Sequence, residues 1–399
     1  MRLFLFTVAL ILSTTFTPQT ATAKEGKLYV QCGGKFSDFV KKMKAEATRQ
    51  GFPKSAIDPF FNSASFSKRT ISADRRQGIF KTNFIDFSRK LIAQYRLDKG
   101  RANAKKYNNI FSAIERQMGV PRGILLSFWA FETDFGAFTG DFNTIDTLMT
   151  LSHDCRRPEL FQPQVFSALE LFARGDFTSQ TQGAWAGEVG QVQMLPKDII
   201  ARGFDGDGDG HIDLDNSVAD TLFSGANMLR GFGWRAGEPW MQEIVVPTNL
   251  PWEDTGFAAS KSVREWAQLG VKPRSGAFEG PNLRGSILLP MGRKGPAFIA
   301  YPNYQTLFDW NQSFVYVATA AYFATRLQGA PIFNPGNPDK PLSDSQMKAL
   351  QTKLAKRGHN VGKIDGILGA GTRAAVQIEQ KRLGLPADAW PTRDLLNKL

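Results

Sequence analysis

Histidine and cysteine are scarce in this chain of 399 residues, which has three of the first and two of the second. Three histidines give no basis for a histidine-rich metal centre, and His153 reads as a structural or surface residue. Two cysteines leave room for one disulfide at most. Long hydrophobic runs are also missing after the first residues, so no later segment is expected to span a bilayer. Charged residues make up 22% and hydrophobic ones 42%, which excludes disorder for most of the chain. What is plentiful is positive charge. A formal net charge of +12 and a pI near 9.6 favour an anionic partner such as nucleic acid, anionic lipid or an acidic wall polymer.

The first residues bear on that choice. Met1-Arg2 is a short positive start, Leu3 to Phe16 an apolar run, and Ala21-Thr22-Ala23 a small-x-small cleavage signal before Lys24. The run is well short of the ~20 residues of a spanning helix. Residues 1–23 are therefore expected to be a cleaved signal peptide, with a periplasmic destination and no transmembrane anchor. Export removes the chain from nucleic acid. In an oxidising compartment, Cys32 and Cys155 are expected to form a disulfide.

The organising stretch is Gly119 to Gly136. The proline at position 121 suits a helix start and Gly136 its end. Ile124, Leu125, Leu126, Phe128, Trp129, Ala130 and Phe131 leave no polar stripe, so the helix should be buried on nearly all sides. Its last turn nevertheless carries Glu132. Apolar neighbours and the negative end of the helix dipole both disfavour the ionised form, raising the pKa toward that of a general acid at neutral pH. Taken alone, the helix also allows a glutamate that tips into solvent. Around it, helical spacing runs from about Ile79 to Tyr95 and from about Lys105 to Met118, while the segment with Pro53 and Pro59 reads as a loop.

Downstream, G-A-W-A-G-E-V-G-Q-V-Q-M-L-P (183–196) combines close glycines, which let backbone approach a ligand, with Gln191 and Gln193, whose amides suit sugar hydroxyl and acetamido groups. The stretch D-G-D-G-D-G-H-I-D-L-D-N (205–216) follows the twelve-residue calcium loop. Asp205, Asp207, Asp209 and Asp213 fall at side-chain ligand positions, Gly210 at the sharp turn, and His211 where a backbone carbonyl binds. Asn216 replaces the bidentate glutamate, so weaker affinity or help from Asp215 or Asp220 is expected. The sequence alternatives are a structural Ca2+ site and a solvated acidic turn. Short strands are expected at Ile287–Leu289 and Phe298–Tyr301, and Trp310, Asn311 and Tyr316 mix ring faces with an amide. After a Pro- and Asn-rich linker (331–342), a capping box at Ser343–Gln346 begins a small module of three helices (343–399).

The ordered motifs E-T-D-F-G, D-C-R-R-P, A-G-E-V-G-Q-V-Q-M-L-P, D-G-D-G-H-I-D-L, Y-P-N-Y and W-N-Q-S resemble the B-type lytic murein transglycosylases of glycoside hydrolase family 103. I-D-G-I-L-G-A-G-T-R-A-A-V is similar to the three-helix peptidoglycan-binding module. The resemblance implies a mainly α fold with a lysozyme-like helical catalytic domain (24–330), a small β-containing lobe and the C-terminal module, acting on peptidoglycan glycan strands. It implies Glu132 as sole catalytic residue, acid and then base, and a 1,6-anhydro product. Gln193, Trp310, Asn311 and Tyr316 match groove positions, and Asp205, Asp207, Asp209, His211, Asp213 and Asn216 the calcium loop.

Four residues depart from the pattern: Ala184 for a groove serine, Glu188 for a small residue, Trp310 for a tyrosine, and Glu379 for a core phenylalanine. Glu188 is counted with the substrate-binding residues as a carboxylate near the site. Asp134 cannot be a partner to Glu132, because residues two apart on a helix point away from each other. The alternatives are a hydrolytic muramidase using Glu188, Asp141 or Asp146 as second carboxylate, and a non-catalytic wall-binding protein.

Overall fold

The structure, a computed structural model, describes residues 27–76, 82–257 and 259–399; the expected signal segment 1–23 lies outside the described residues. Seventeen α-helices and seven short strands among the described residues make the chain mainly helical. The Glu132 helix runs Arg122–Thr133 with Pro121 as its N-cap, so the proline stands just outside the first turn. Its residues from Gly123 to Ala130 are all buried. The helix Phe314–Leu327 packs along it, as does Gln94–Lys106. Phe131 stacks on Phe323 at 5.2 Å between ring centroids. The continuous apolar surface has thus drawn other apolar helices around it on nearly every side.

Several local expectations need correction. The segment with Pro53 and Pro59 is a helix, Lys54–Ser63, capped by Pro53 and containing Pro59. Burial of Ala56, Ile57, Phe60 and Phe61 outweighs the backbone bond that Pro59 cannot make. The pattern from Ile79 to Tyr95 begins outside the described residues and is then broken: helices Phe84–Leu91 and Gln94–Lys106 meet at Ile92-Ala93. Helix Thr144–His153, for which the sequence reading assigned no element, forms because Asn143 caps it and Ile145, Leu148, Met149 and Leu151 are buried.

The β lobe is a sheet of five strands, all antiparallel, in the spatial order Lys261–Ser262, Arg284–Leu288, Phe298–Ala300, Met241–Val245, Lys272–Pro273. Alternation along its strands divides two cores. Phe298, Ala300 and Leu288 face the helical core, while Ile299 and Ile287 join Trp252 and Trp266 on the other side. Both strands expected from sequence fall in this sheet, at its centre.

The C-terminal segment forms helices Asp344–Lys356, Ala370–Arg382 and Arg393–Lys398 around Leu350, Leu354, Val376 and Leu395. Its own core is small, and it is docked. Gln377 Nε2 donates to the carbonyls of Trp252 (3.2 Å) and Thr255 (3.0 Å), and buried Trp390 joins the main helical core. Glu379 sits buried in a polar pocket of this module. It accepts from His359 Nε2 at 2.8 Å and Arg382 Nε at 2.7 Å, and those partners outweigh burial to hold its pKa below the usual glutamate value.

Candidate active site

Glu132 reaches the end of its helix with one carboxylate oxygen gripped from above. Tyr316 Oη donates to Oε1 at 2.5 Å and Trp310 Nε1 donates to the same atom at 3.0 Å. These donors come from two consecutive elements. Helix Pro302–Trp310 ends at Trp310, Asn311 is extended, and Ser313 caps helix Phe314–Leu327 by accepting from the backbone N–H of Tyr316. Asn311 Oδ1 accepts from the Ser313 N–H at 2.9 Å and so shapes the turn. Trp310 lies flat on Phe128, centroids 4.2 Å apart and planes 15° apart. The indole therefore does two things at once: it packs on the Glu132 helix and points its N–H at the carboxyl.

The electrostatics follow from this packing. Burial pushes the Glu132 pKa up to about 7, against the two donated hydrogen bonds, which favour the ion, and with help from the negative charge of Glu188. Burial and Glu132 itself push the Tyr316 phenol well above its ordinary value, so it remains a donor. Glu188 is itself raised by burial, although backbone N–H groups and the charge of Arg157 oppose this. Asp134 turns away to Arg96 at 3.0 Å and Tyr95 at 3.2 Å; although burial acts against ionisation, these partners keep its pKa low. Asp141 pairs with Arg69 at 2.6 Å and Asp146 accepts from the Ser65 N–H at 2.6 Å. Of the carboxylates weighed as a partner, only Glu188 acts on Glu132 through its charge.

The two glutamines separate. Gln191 is buried and fully engaged: it accepts from Trp129 Nε1 at 2.9 Å and donates to the Asp215 carbonyl at 2.9 Å. It ties the Glu132 helix to the acidic loop and is no sugar ligand. Gln193 has φ 52°, and its Nε2 is held by the carbonyls of Thr139 and Gly190, both at 3.0 Å. The glycines here admit protein rather than ligand. A Cβ on Gly187 would lie 2.3 Å from Leu148 Cδ2, and one on Gly190 2.3 Å from Leu214 Cβ.

In the acidic loop, carboxylate oxygens of Asp205, Asp207 and Asp209 converge within 4.8 Å of one another. Asp205 also accepts backbone N–H groups of Gly208 (2.6 Å) and Gly210 (2.9 Å), which curls the loop around it. Asp213 stands apart from this group and accepts from the N–H groups of Asp215 and Asn216 and from Asn216 Nδ2. The His211 ring pairs with Asp176 Oδ1 at 3.0 Å, which raises its pKa. Buried Asp220 braces the loop from the next helix, accepting from Gly206 at 2.9 Å and Asp213 at 2.8 Å. Three hard oxygen donors at this spacing fit a calcium ion. Cys32 and Cys155 are bonded to each other, with Cα atoms 5.4 Å apart.

Comparison with known proteins adds the following. Residues 35–325 match the family described as Transglycosylase SLT domain, and residues 343–399 the Putative peptidoglycan binding domain. The chain is 31% identical to SltB3 of Pseudomonas aeruginosa, solved in complex with NAG-anhNAM-pentapeptide, at TM-score 0.84 over 92% of this chain and 99% of that one. The Escherichia coli lytic transglycosylase Slt35, solved with calcium, shares the fold at TM-score 0.62 and 24% identity, over 75% of this chain and 96% of that one. Membrane-bound lytic murein transglycosylase B of Escherichia coli strain K12 is 28% identical over 236 residues, 58% of this chain and 63% of its own length. The chain thus spans under two thirds of that relative.

A carboxyl kept protonated by burial is a cost to folding that can be measured without substrate. With a folded pKa of about 7, the native chain retains a proton that the unfolded chain releases above its ordinary value near 4.5. Stability contributed by this group therefore falls as pH rises through that window, by about 3 kcal/mol in all. Glu132→Gln keeps an acceptor for Tyr316 and Trp310 and removes the ionisation. The variant is expected to be more stable than the parent at pH 8 and equal to it at pH 4 in urea unfolding; equal stability at both pH values contradicts the burial reading.

Proposed function

The chain belongs to the family of SLT-domain transglycosylases, and from that premise we propose that it is a peptidoglycan lytic transglycosylase with Glu132 as its catalytic acid and base. The observation that carries the reading is the single carboxyl of Glu132, with its pKa near 7 and gripped by Tyr316 and Trp310. Protonated, it gives its proton to the oxygen between N-acetylmuramic acid and N-acetylglucosamine as the bond to C1 breaks. The resulting carboxylate takes the proton of the muramic C6 hydroxyl, whose oxygen bonds to C1. The product is a 1,6-anhydro end, and no water is consumed. Direct hydrolysis calls for a second carboxylate across the bond. Glu188 is the residue on which that alternative rests.

The two donors have a defined part in this cycle. They stabilise the anionic form of Glu132 after the first proton transfer, while burial keeps it from forming too early. Gln193, with its amide nitrogen already engaged, offers its carbonyl oxygen to a sugar N–H or hydroxyl. Asn311 and the face of Trp310 are the further groove positions that the family resemblance implies.

The domain assignment belongs to the proposal: a catalytic region to residue 330, a linker, and a wall-binding module from residue 343. So does export to the periplasm, where peptidoglycan lies and where the net charge of +12 favours anionic stem peptides. We assign Asp205, Asp207 and Asp209 as carboxylate ligands of a structural Ca2+, with the His211 carbonyl close by in sequence. An ion there would offset their mutual repulsion and stiffen the turn that Gln191 joins to the Glu132 helix.

Two experiments test these statements. Mass spectrometry of muropeptides released from purified sacculi is expected to give anhydro-muramic ends with the parent and none with Glu132→Gln. Reducing muramic ends would replace the assignment with a muramidase. For the loop, added Ca2+ is expected to raise the melting temperature of the parent, and the rise to disappear in Asp207→Asn/Asp209→Asn; a parent indifferent to Ca2+ removes the ion from the account.

A further inference from the structure

Immediately beyond the Glu132 helix, the chain makes a turn from Gly136 to Gly140 whose tip is Phe138. This residue is 75% exposed, the highest value among the exposed large hydrophobic residues described. Exposure of one apolar residue is ordinary in a mobile loop, but this turn is fixed at both ends. The Phe138 N–H donates to the Thr133 carbonyl at 3.0 Å, and the Thr139 carbonyl accepts from Gln193 Nε2 at 3.0 Å. Gly140, at φ 108°, lies so close to the strand Gln182–Gly183 that a Cβ on it would come within 2.1 Å of the Gly183 carbonyl oxygen. That strand leads straight into Ala184, whose N–H bonds the Glu188 carbonyl at 2.8 Å. The turn is therefore clamped between the end of the Glu132 helix, Gln193 and the segment that carries Glu188.

Its neighbour provides a contrast. The ring of Phe142, four residues on, is covered by the Arg69 guanidinium at 3.9 Å. Among the described residues no ring and no cation covers Phe138. A hydrogen-bonded turn thus holds a largely exposed aromatic residue six positions beyond Glu132.

We propose that Phe138 is a sugar-stacking residue, whose ring receives the apolar face of an N-acetylhexosamine unit of the glycan strand next to those at the cleaved bond. The inference rests on the peptidoglycan reading above and extends it to one subsite. The chemistry is that of any pyranose: axial C–H groups on one face present an apolar patch that an aromatic ring desolvates, while the equatorial polar groups stay hydrated. Phe138 touches substrate in this account and has no part in proton transfer. Its loss should weaken binding of strands long enough to reach it, and leave shorter ligands unaffected.

The test uses the full chain with Glu132→Gln, so that ligand is bound and not consumed. Peptide-free glycan strands of several disaccharide repeats, and the single disaccharide, are titrated by calorimetry. Adding Phe138→Ala is expected to weaken the long strand roughly tenfold, leave the disaccharide unchanged, and be reversed by Phe138→Trp, with unfolding midpoints equal throughout. An affinity for long strands within twofold of the Glu132→Gln parent, or equal weakening of both ligands, overturns the subsite while the peptidoglycan reading stands. Failure of the Glu132→Gln parent to bind either ligand overturns both.

Discussion

The partial withdrawal of one carboxyl from water is the constraint on which the rest of the structure depends. Glu132 stands at the end of a helix whose neighbouring residues are apolar, and its ionised form loses hydration and faces the negative end of the helix dipole. Left alone, such a group would stay neutral to higher pH or would swing outward. The hydrogen bonds from Tyr316 and Trp310 prevent both, holding the oxygen in place and returning the pKa to about 7. The balance is between a large desolvation effect and two opposing donors. A proton can then be given and taken back at the same pH.

Holding that balance requires rigidity at several removes. Phe128 beneath Trp310 fixes the indole, and the Ser313 cap with Asn311 fixes the turn from which Tyr316 projects. On the far side, Thr133 donates to the Gln191 carbonyl at 2.6 Å, while the Gln191 amide bridges Trp129 and the Asp215 carbonyl. The end of the Glu132 helix is thereby joined to the acidic loop. The disulfide between Cys32 and Cys155 ties the first described segment to the stretch preceding the helix Pro158–Arg174. The C-terminal module docks on the β lobe through Gln377 and on the helical core through Trp390, so it is held against the rest of the chain rather than hanging from a linker.

How much of this was legible in the sequence depends on how local the cause was. The Glu132 helix could be read from its apolar run, and the acidic loop from its spacing of aspartates, because both signals lie within a few residues. The capping box at Ser343 was legible for the same reason, and its two reciprocal bonds are present. Long-range partners were not. Trp310 and Tyr316 read as sugar-facing aromatics, and their hydrogen bonds to a residue almost two hundred positions earlier leave no periodicity to detect. Tryptophan at 310 lacks the hydroxyl of the tyrosine it replaces, yet its indole N–H supplies a donor. By composition alone Gln191 and Gln193 looked equivalent, and burial together with the bonds to Trp129 and the Asp215 carbonyl marks Gln191 as the structural one. The helix Lys54–Ser63 was hidden by its prolines, whose local cost is outweighed by phenylalanines packing against distant elements. The two edge strands of the sheet, Lys261–Ser262 and Lys272–Pro273, were missed because two-residue pairings carry almost no pattern of their own.

The most direct test of the central claim is titration of the Glu132 carboxyl itself. Glutamate side-chain carboxyls labelled with 13C would be followed by NMR, with Glu132 assigned by difference from Glu132→Gln. The account requires a midpoint near 7 in the free protein. A midpoint at the ordinary glutamate value would mean that water reaches the carboxyl and that Glu132 is ionised at neutral pH, which contradicts its part as the acid.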